Sequence, residues 1–180
     1  GSRFPVEQAC KLAHDYGALF HSDMVQALGK IPFSLNETGF DFASFSAHKF
    51  YALKGCGVLY SRTGMQLDSL IKGGRQERGR RAGTENALSI AALGMMADKL
   101  AEVSDRAREV RKLRDHMEQQ MTERIPGIVF NGCEVERLPN CSSAIVPGVD
   151  GETLLMNLDM KGFAVSTGAA CSSGSPEPSP

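Results

Sequence analysis

The sequence predicts an α/β fold, with a mainly parallel sheet packed against helices and a smaller α+β domain at the C-terminal end. Two observations support this prediction. Short apolar runs alternate with amphipathic segments in the first part of the chain, and Gly, Pro or Asn residues separate them. After a long, highly charged helical segment, the predicted order changes to two strands, a helix and a strand.

The first part of the chain supplies the predicted sheet. The pattern predicts an amphipathic helix at residues 5–16 and strands at 18–23, 41–46 and 57–61, the first of them buried. The alternation indicates a parallel sheet with a reversal at its edge. From Glu85 the pattern becomes helical, and apolar residues recur at steps of three and four between Val103 and Met121. We interpret this stripe as a core-facing surface and the charges around it as a solvated face.

A second unit is predicted to begin at Pro126-Gly127, which ends the long helix. Strands are expected near 128–131 and 142–147, a helix at 151–160 and a strand just before Thr167. The predicted organisation is therefore a partial large domain at 1–100, a connecting helix at 101–125 and a small domain at 126–180.

Composition excludes several classes of protein. The chain has 180 residues, 42% of them hydrophobic, and a net charge of −1. This balance argues against nucleic-acid binding, and no apolar run approaches the roughly 20 residues that span a bilayer. The five cysteines are odd in number and lack metal-ligand spacing, so we expect reduced thiols in the cytoplasm and no metal. Four of them are expected to be small core residues: Cys10, Cys56, Cys133 and Cys141.

The run from Phe45 to Phe50 is the most informative segment, because it ends a predicted strand with Lys49 beside Ser46 and His48. A lysine amine can form a Schiff base with pyridoxal 5′-phosphate (PLP), and a hydroxyl and an imidazole can hold the phosphate. The alternative is a solvated lysine at the end of a strand.

Asp23 ends the preceding predicted strand, where its carboxylate could pair with the pyridine nitrogen of PLP. Gln26 follows three residues later, so one helical turn would bring its amide near that carboxylate and the ring hydroxyl. The alternative for Asp23 is a helix N-cap.

Cys171 lies in a loop of small residues that would leave its thiol exposed and mobile, as a nucleophile requires. The alternative is an incidental cysteine in a flexible tail. Residues 73–84 form a glycine- and arginine-rich loop, which is suited either to binding anions or simply to being solvated.

Four segments in this order resemble the cysteine desulfurases of iron-sulfur cluster assembly and nitrogen fixation, which are PLP enzymes of the class V aminotransferase group. They are residues 21–30, 46–49, 73–84 and the Cys171 loop. The resemblance covers nearly the whole chain and assigns its first part to the large PLP-binding domain. It implies a homodimer, because Thr84 matches a threonine that reaches the phosphate of the opposite subunit.

The resemblance also implies roles for the other site residues. Lys49 would carry PLP as a Schiff base and move the substrate's α-proton, and Cys171 would attack the sulfur. The expected cofactor contacts are Asp23 to the ring nitrogen, Gln26 to the ring hydroxyl, and Ser46 and His48 to the phosphate.

The implied reaction converts L-cysteine to L-alanine and leaves a persulfide on the enzyme for a sulfur-acceptor or scaffold protein. Two alternatives remain: a related PLP lyase such as one acting on selenocysteine, and an inactive fragment that only oligomerises or binds an acceptor. The sequence begins at a point that matches the middle of the family's large domain and stops just past the cysteine loop. From its start we expect a fragment without the family's phosphate-cradling turn and ring-stacking histidine, and from its end one without the substrate-binding arginine.

Overall fold

The computed structural model describes residues 1–168 of the chain. It contains six α-helices and five strands within that range, with two 3₁₀ helices at Ala47–Phe50 and Asp98–Glu102. The helices are α1 (Val6–Asp15), α2 (Leu35–Thr38), α3 (Gln76–Gly79), α4 (Ala87–Ala97), α5 (Val103–Arg124) and α6 (Gly151–Asp159). The strands are β1 (His21–Asp23), β2 (Phe42–Ser46), β3 (Gly57–Ser61), β4 (Val129–Phe130) and β5 (Ala144–Ile145).

The main sheet has three strands in the order β1-β2-β3. β2 pairs in parallel with β1 and antiparallel with β3, so the predicted reversal at the sheet edge is confirmed. The sheet is mixed, with one pairing of each kind, and together with its helices it confirms the α/β class.

β1 is shorter than the predicted strand at 18–23, because the residues before it are used to end α1. Gly17 has a φ of +69°, which glycine adopts without strain. The N–H groups of Gly17 and Ala18 both bond back to the helix, to the carbonyls of His14 and Ala13 at 2.9 Å. This arrangement caps the helix and delays the start of the strand.

The core of this region lies between α1 and one face of β2. Burial alternates along β2, with Ala43 and Phe45 buried and their neighbours less so. Cys10 of α1 is 2% exposed and packs in the same cluster as these two residues, with Met24 and Phe40. The prediction for Cys10 is confirmed. Cys56 and Cys141 are only partly buried, and the prediction for Cys133 is wrong because its side chain is exposed.

Asp41, just before β2, is a fully buried carboxylate that ties α1 to the residues directly before β1 and after β3. Its Oδ2 accepts hydrogen bonds from the Phe20 N–H at 2.7 Å and from His14 Nε2 at 2.8 Å, and its Oδ1 pairs with Arg62. Burial by itself raises the pKa of this carboxyl, but the hydrogen bonds from Phe20 and His14 and the charge of Arg62 outweigh it. The pKa of Asp41 is therefore held below its ordinary value.

The prediction that the apolar stripe of α5 faces a core is wrong. Leu113 is 71% exposed and Met117 43% exposed, whereas Glu118 is buried. The reason is that α5 packs the loop after β4 against its Glu118 side. Arg137 donates two hydrogen bonds to the Glu118 carboxylate, at 2.9 and 2.8 Å, and the Ser142 hydroxyl donates a third at 2.7 Å.

The C-terminal part contains a two-stranded antiparallel sheet, β4 with β5, followed by α6. The Asp150 carboxylate caps α6 by accepting a hydrogen bond from the Thr153 N–H at 2.9 Å. The strand predicted before Thr167 is not formed within the described residues. The Phe163 N–H, at the start of the predicted strand, donates a hydrogen bond back to the Leu158 carbonyl at 2.9 Å. This bond closes the end of α6, so the Phe163 N–H does not pair with a strand. The division into domains at 100 and 126 stays a prediction.

Residues 1–168 include no helix that is both long and apolar enough to cross a membrane. The same residues hold no group of three or more His, Cys, Asp or Glu side chains placed to bind a metal ion.

Candidate active site

The candidate site lies where the parallel strands β1 and β2 both end. Asp23 is the last residue of β1 and pairs in register with Ser44, two residues before the end of β2 at Ser46. Parallel strands bring their carboxyl ends to one edge of a sheet, and ligand sites of α/β folds are found at that edge. The structure thus brings Asp23 and the Ser46–Lys49 segment to the same edge, as the motifs predict.

The turn that carries Lys49 is a single 3₁₀ helix, Ala47–Phe50, directly after β2. Its first and last residues, Ala47 and Phe50, are buried, whereas His48 and Lys49 between them are exposed. The Ala47 N–H bonds to the Cys56 carbonyl at 3.0 Å, which ties the turn to the start of β3. The buried positions therefore anchor the turn and leave the two chemically useful side chains accessible.

Ser46 and His48 converge at this turn. The Ser46 Oγ lies 2.9 Å from the His48 Nδ1, and both side chains lie at the end of β2. Two hydrogen-bonding groups this close to each other can address the same anion.

Asp23 is exposed, and its Oδ1 accepts a hydrogen bond from the Val25 N–H at 2.9 Å. This bond to the residue two positions ahead makes an Asx turn, so the alternative of a helix N-cap is wrong. The reason is that residues 25–30 form successive turns and no helix. Gln26 is exposed in these turns, and its contact with the ring hydroxyl stays a prediction.

Lys30 is a neighbour of Lys49 to which the sequence assigned no role. Its Nζ donates a hydrogen bond to the backbone carbonyl of Lys49 at 2.7 Å. The preceding Gly29 packs against the same turn, so closely that a Cβ placed there would lie 2.8 Å from the Phe50 Cβ. The available signal was the Gly-Lys pair that ends the 21–30 segment.

Thr84 lies apart from this group, in the glycine- and arginine-rich loop. Its carbonyl and that of Gly83 each accept a hydrogen bond from Arg81 Nη1 at 3.3 Å. Glu77 and Arg78 are both left-handed, with φ of +49° and +59°, which is unusual for two successive residues other than glycine. The arginines of the loop are exposed: Arg75, Arg78, Arg80 and Arg81. Cys171 lies outside the described residues.

The functional groups of the residues at the sheet edge are chemically suited to binding PLP. The paired Ser46 and His48 suit a phosphate, the Lys49 amine suits an aldehyde, and the Asp23 carboxylate suits a protonated ring nitrogen. A carboxylate offers about four acceptor positions, and the Val25 N–H uses one of those on Asp23.

Comparison with known proteins gives one consistent family. The model of the family described as aminotransferase class-V matches residues 1–179. A cysteine desulfurase of Gluconacetobacter diazotrophicus is 47% identical over 180 residues, covering 99% of this chain and 45% of that protein. The cysteine desulfurase NifS of Azotobacter vinelandii is 43% identical over 180 residues, with the same two coverages of 99% and 45%.

Solved structures agree with this result. A NifS-like protein from Rickettsia africae has a TM-score of 0.87 at 33% identity, covering 94% of this chain and 47% of that one. A second NifS-like protein has a TM-score of 0.85 at 38% identity, covering 93% and 46%. The chain spans slightly less than half the length of the relatives it matches. Because the family model matches residues 1–179 of the 180, the chain belongs to the aminotransferase class-V family.

Proposed function

We propose that this chain is the part of a PLP-dependent cysteine desulfurase that carries the Schiff-base lysine and the sulfur-accepting cysteine. The observation that supports this most is the position of four residues at one sheet edge, Asp23, Ser46, His48 and Lys49. The relatives named cysteine desulfurase match over 99% of the chain, which supports the same assignment.

In this proposal, the sheet edge holds PLP at three points. The Ser46 hydroxyl and the His48 imidazole bind the phosphate, and their 2.9 Å separation lets both reach one phosphate group. Asp23 keeps the ring nitrogen protonated, and Gln26 binds the ring hydroxyl. When bound, PLP withdraws electrons from the substrate's α-carbon and so makes the carbon–sulfur bond breakable.

The chain's own residues supply the proton and the thiol. The Lys49 amine, exposed at the end of its turn, takes the α-proton of L-cysteine and later returns a proton to carbon. The Cys171 thiolate attacks the substrate sulfur and forms a sulfur–sulfur bond. The sum is L-cysteine plus a cysteine thiol giving L-alanine plus a cysteine persulfide, so that atoms and electrons balance.

Association with other chains follows from the same proposal. Thr84 is exposed in its loop, where it could contact the phosphate bound by a second copy of the chain. We therefore propose a homodimer in the cytoplasm, which passes the persulfide sulfur to an acceptor or scaffold protein that assembles iron-sulfur clusters.

A second candidate is a non-catalytic role in oligomerisation or acceptor binding. The observation that favours it is the amount of exposed apolar surface, which includes Leu70 at 95%, Leu88 at 74% and Leu113 at 71%. Surfaces of this kind are typical of contacts with other chains.

PLP titration of the purified chain separates the two candidates. The mixture is reduced with borohydride and the modified lysine is located by peptide mapping, with Lys49→Ala and the exposed Lys54→Ala as matched variants. We expect modification at Lys49 in the parent and in Lys54→Ala, and none at residue 49 in Lys49→Ala. A folded parent chain that is not modified at Lys49 would favour the second candidate.

Product analysis then identifies the reaction. The PLP-treated chain is incubated with L-cysteine or L-selenocysteine, and alanine and persulfide are measured. We expect Cys171→Ser to keep the Lys49 modification and lose the persulfide. Alanine from L-selenocysteine alone would instead indicate the related lyase.

A further inference from the structure

Lys30 is a charged residue of the 21–30 segment to which the proposed reaction gives no role. It lies in the turns after β1, whereas Lys49 lies in the 3₁₀ helix after β2. The 2.7 Å hydrogen bond from Lys30 Nζ to the Lys49 carbonyl therefore joins the two connections that leave the same edge of the sheet. An ammonium donor makes this a charge-assisted bond, which is stronger than a bond between neutral groups.

A second contact lies beside the first. Gly29 has a φ of +76°, and its backbone lies so close to Phe50 that a Cβ on residue 29 would lie 2.8 Å from the Phe50 Cβ. Phe50 is 4% exposed. The consecutive pair Gly29-Lys30 thus contacts the consecutive pair Lys49-Phe50, once through packing and once through a hydrogen bond.

The turn needs such a restraint. The residue after it, Tyr51, has a φ of +74°, a left-handed conformation that is uncommon for a bulky residue. The Tyr51 N–H is shared between the carbonyls of Ala47 and His48, and the bond to His48 is long at 3.4 Å. The internal bonds of the turn end on the carbonyls of Ala47 and His48, so the short bond from Lys30 adds a restraint at the next carbonyl, that of Lys49.

The Lys30 side chain is itself held in place. Burial lowers the pKa of its ammonium, and the positive charge of Lys49 lowers it further. A partly buried ammonium gains most from a fixed acceptor, because leaving it unpaired would cost free energy. The Lys49 carbonyl is that acceptor.

We propose that Lys30 is a positioning residue for Lys49, whose hydrogen bond to the Lys49 carbonyl fixes the backbone from which the reactive amine extends. The inference rests on the proposed function for its ligand, PLP. The restraint itself concerns the chain alone and can be measured without PLP.

The test with PLP uses Lys30→Met, Lys30→Arg and the control Lys54→Met. The rate of borohydride-trapped modification at Lys49 is measured over a range of PLP concentrations. For Lys30→Met we expect the limiting rate to fall about tenfold and the half-saturating PLP concentration to change less than about twofold, because the phosphate-binding side chains are intact. Lys30→Arg, which keeps a charged donor, should recover most of the rate, and Lys54→Met should match the parent.

The test without PLP is hydrogen exchange of the Tyr51 and Ala52 amides, which bond to the carbonyls of His48 and Ala47. Lys30→Met should speed their exchange about tenfold, while amides between β2 and β3 keep the parent rate and Lys30→Arg restores protection. A Lys30→Met variant with parent-like exchange overturns the proposal. So does equal acceleration in β2 and β3, or a Lys30→Arg variant as fast as Lys30→Met. Failure of the parent to react with PLP at Lys49 refutes the proposed function, and exchange alone then decides the role of Lys30.

Discussion

The polar groups at the two ends of the three-stranded sheet differ in burial. At the end where β2 begins, Asp41 is 0% exposed and its carboxylate is bonded to His14 of α1 and to Phe20 and Arg62, which flank β1 and β3. At the end where β1 and β2 stop, Asp23, His48 and Lys49 are exposed. A buried polar group must find its partners within the protein, whereas an exposed one stays available to a ligand. One end of the sheet therefore serves stability, and under the proposed function the other serves chemistry.

Asp41→Asn should cause the largest loss of stability among the substitutions at the two ends of the sheet. The substitution removes the charge that pairs with Arg62 and His14, so we expect the free energy of unfolding to fall by about 2 to 3 kcal/mol. Urea denaturation measures the change. The matched control is Asp23→Asn at the other end of the sheet, which should change stability by less than about 0.5 kcal/mol. Equal losses in the two variants would contradict the division of roles.

The stabilisation from Asp41 should also depend on pH. Its folded-state pKa is lowered, so its contribution is fully present above the ordinary pKa of about 3.9 and is lost as pH falls through the folded-state value. We expect the difference in unfolding free energy between the parent and Asp41→Asn to be constant near neutral pH and to shrink below about pH 4. A difference that grows on acidification would be the wrong sign for this mechanism.

Glu118→Gln tests whether a buried carboxylate has the same role outside the main sheet. The hydrogen bonds from Arg137 are the largest cause of the lowered pKa of Glu118, and burial opposes them. Removing the charge should cost about 1 to 2 kcal/mol by loosening the loop after β4 from α5. Urea denaturation measures this loss, with the exposed Glu123→Gln on the same helix as the control. If Glu118→Gln and Glu123→Gln were equally stable, the stabilising role of buried carboxylates would be limited to the main sheet.

Gly29→Ala and Gly39→Ala replace two glycines that have nearly the same backbone conformation. Gly29 has a φ of +76° and meets Phe50, whereas Gly39 has a φ of +73° and open space around it. Both substitutions bear the backbone strain, but only Gly29→Ala must also displace the Lys49 turn. We expect Gly29→Ala to be less stable than Gly39→Ala by about 1 kcal/mol. Equal stability in thermal or urea unfolding would show that the contact with Phe50 yields without cost.

Ser46→Ala should have the smallest effect on stability and still weaken the chemistry. We expect the unfolding free energy to change by less than about 0.5 kcal/mol, because Ser46 is only partly buried at the end of its strand. The half-saturating PLP concentration for Lys49 modification should rise about fivefold through loss of one phosphate hydrogen bond. A large loss of stability with unchanged PLP binding would reverse the assignment of this end of the sheet.

Much of the fold was predictable because its signals are local. The predicted strand at 57–61 coincides with β3, and the helix at 5–16 differs from α1 by one residue at each end. Both were indicated by periodicity and by Gly or Pro breaks within a few residues. The segments 21–30 and 46–49 were likewise recognised from residue types and spacing alone.

The errors occurred where burial depends on distant residues. The apolar stripe of α5 is largely exposed, because the loop carrying Arg137 and Ser142 packs on its Glu118 side. The periodicity of a helix does not predict which of its faces a later loop will pack against. Cys133 is exposed for the same kind of reason, because small residue size favours burial only where other elements pack around it.

By itself, the sequence determined the class of fold and the order of its main elements, because each depends on short local patterns. It also predicted the residues of the candidate site from such patterns. Only the tertiary structure decided that Asp41 would meet Phe20 and Arg62, 21 residues away on either side, and that Lys30 would reach Lys49 across 19 residues. Such contacts arise where strand pairing brings separate turns to one edge of a sheet. The physical reason is that local propensity acts over a few residues, whereas burial and hydrogen-bond partners are set by packing between elements.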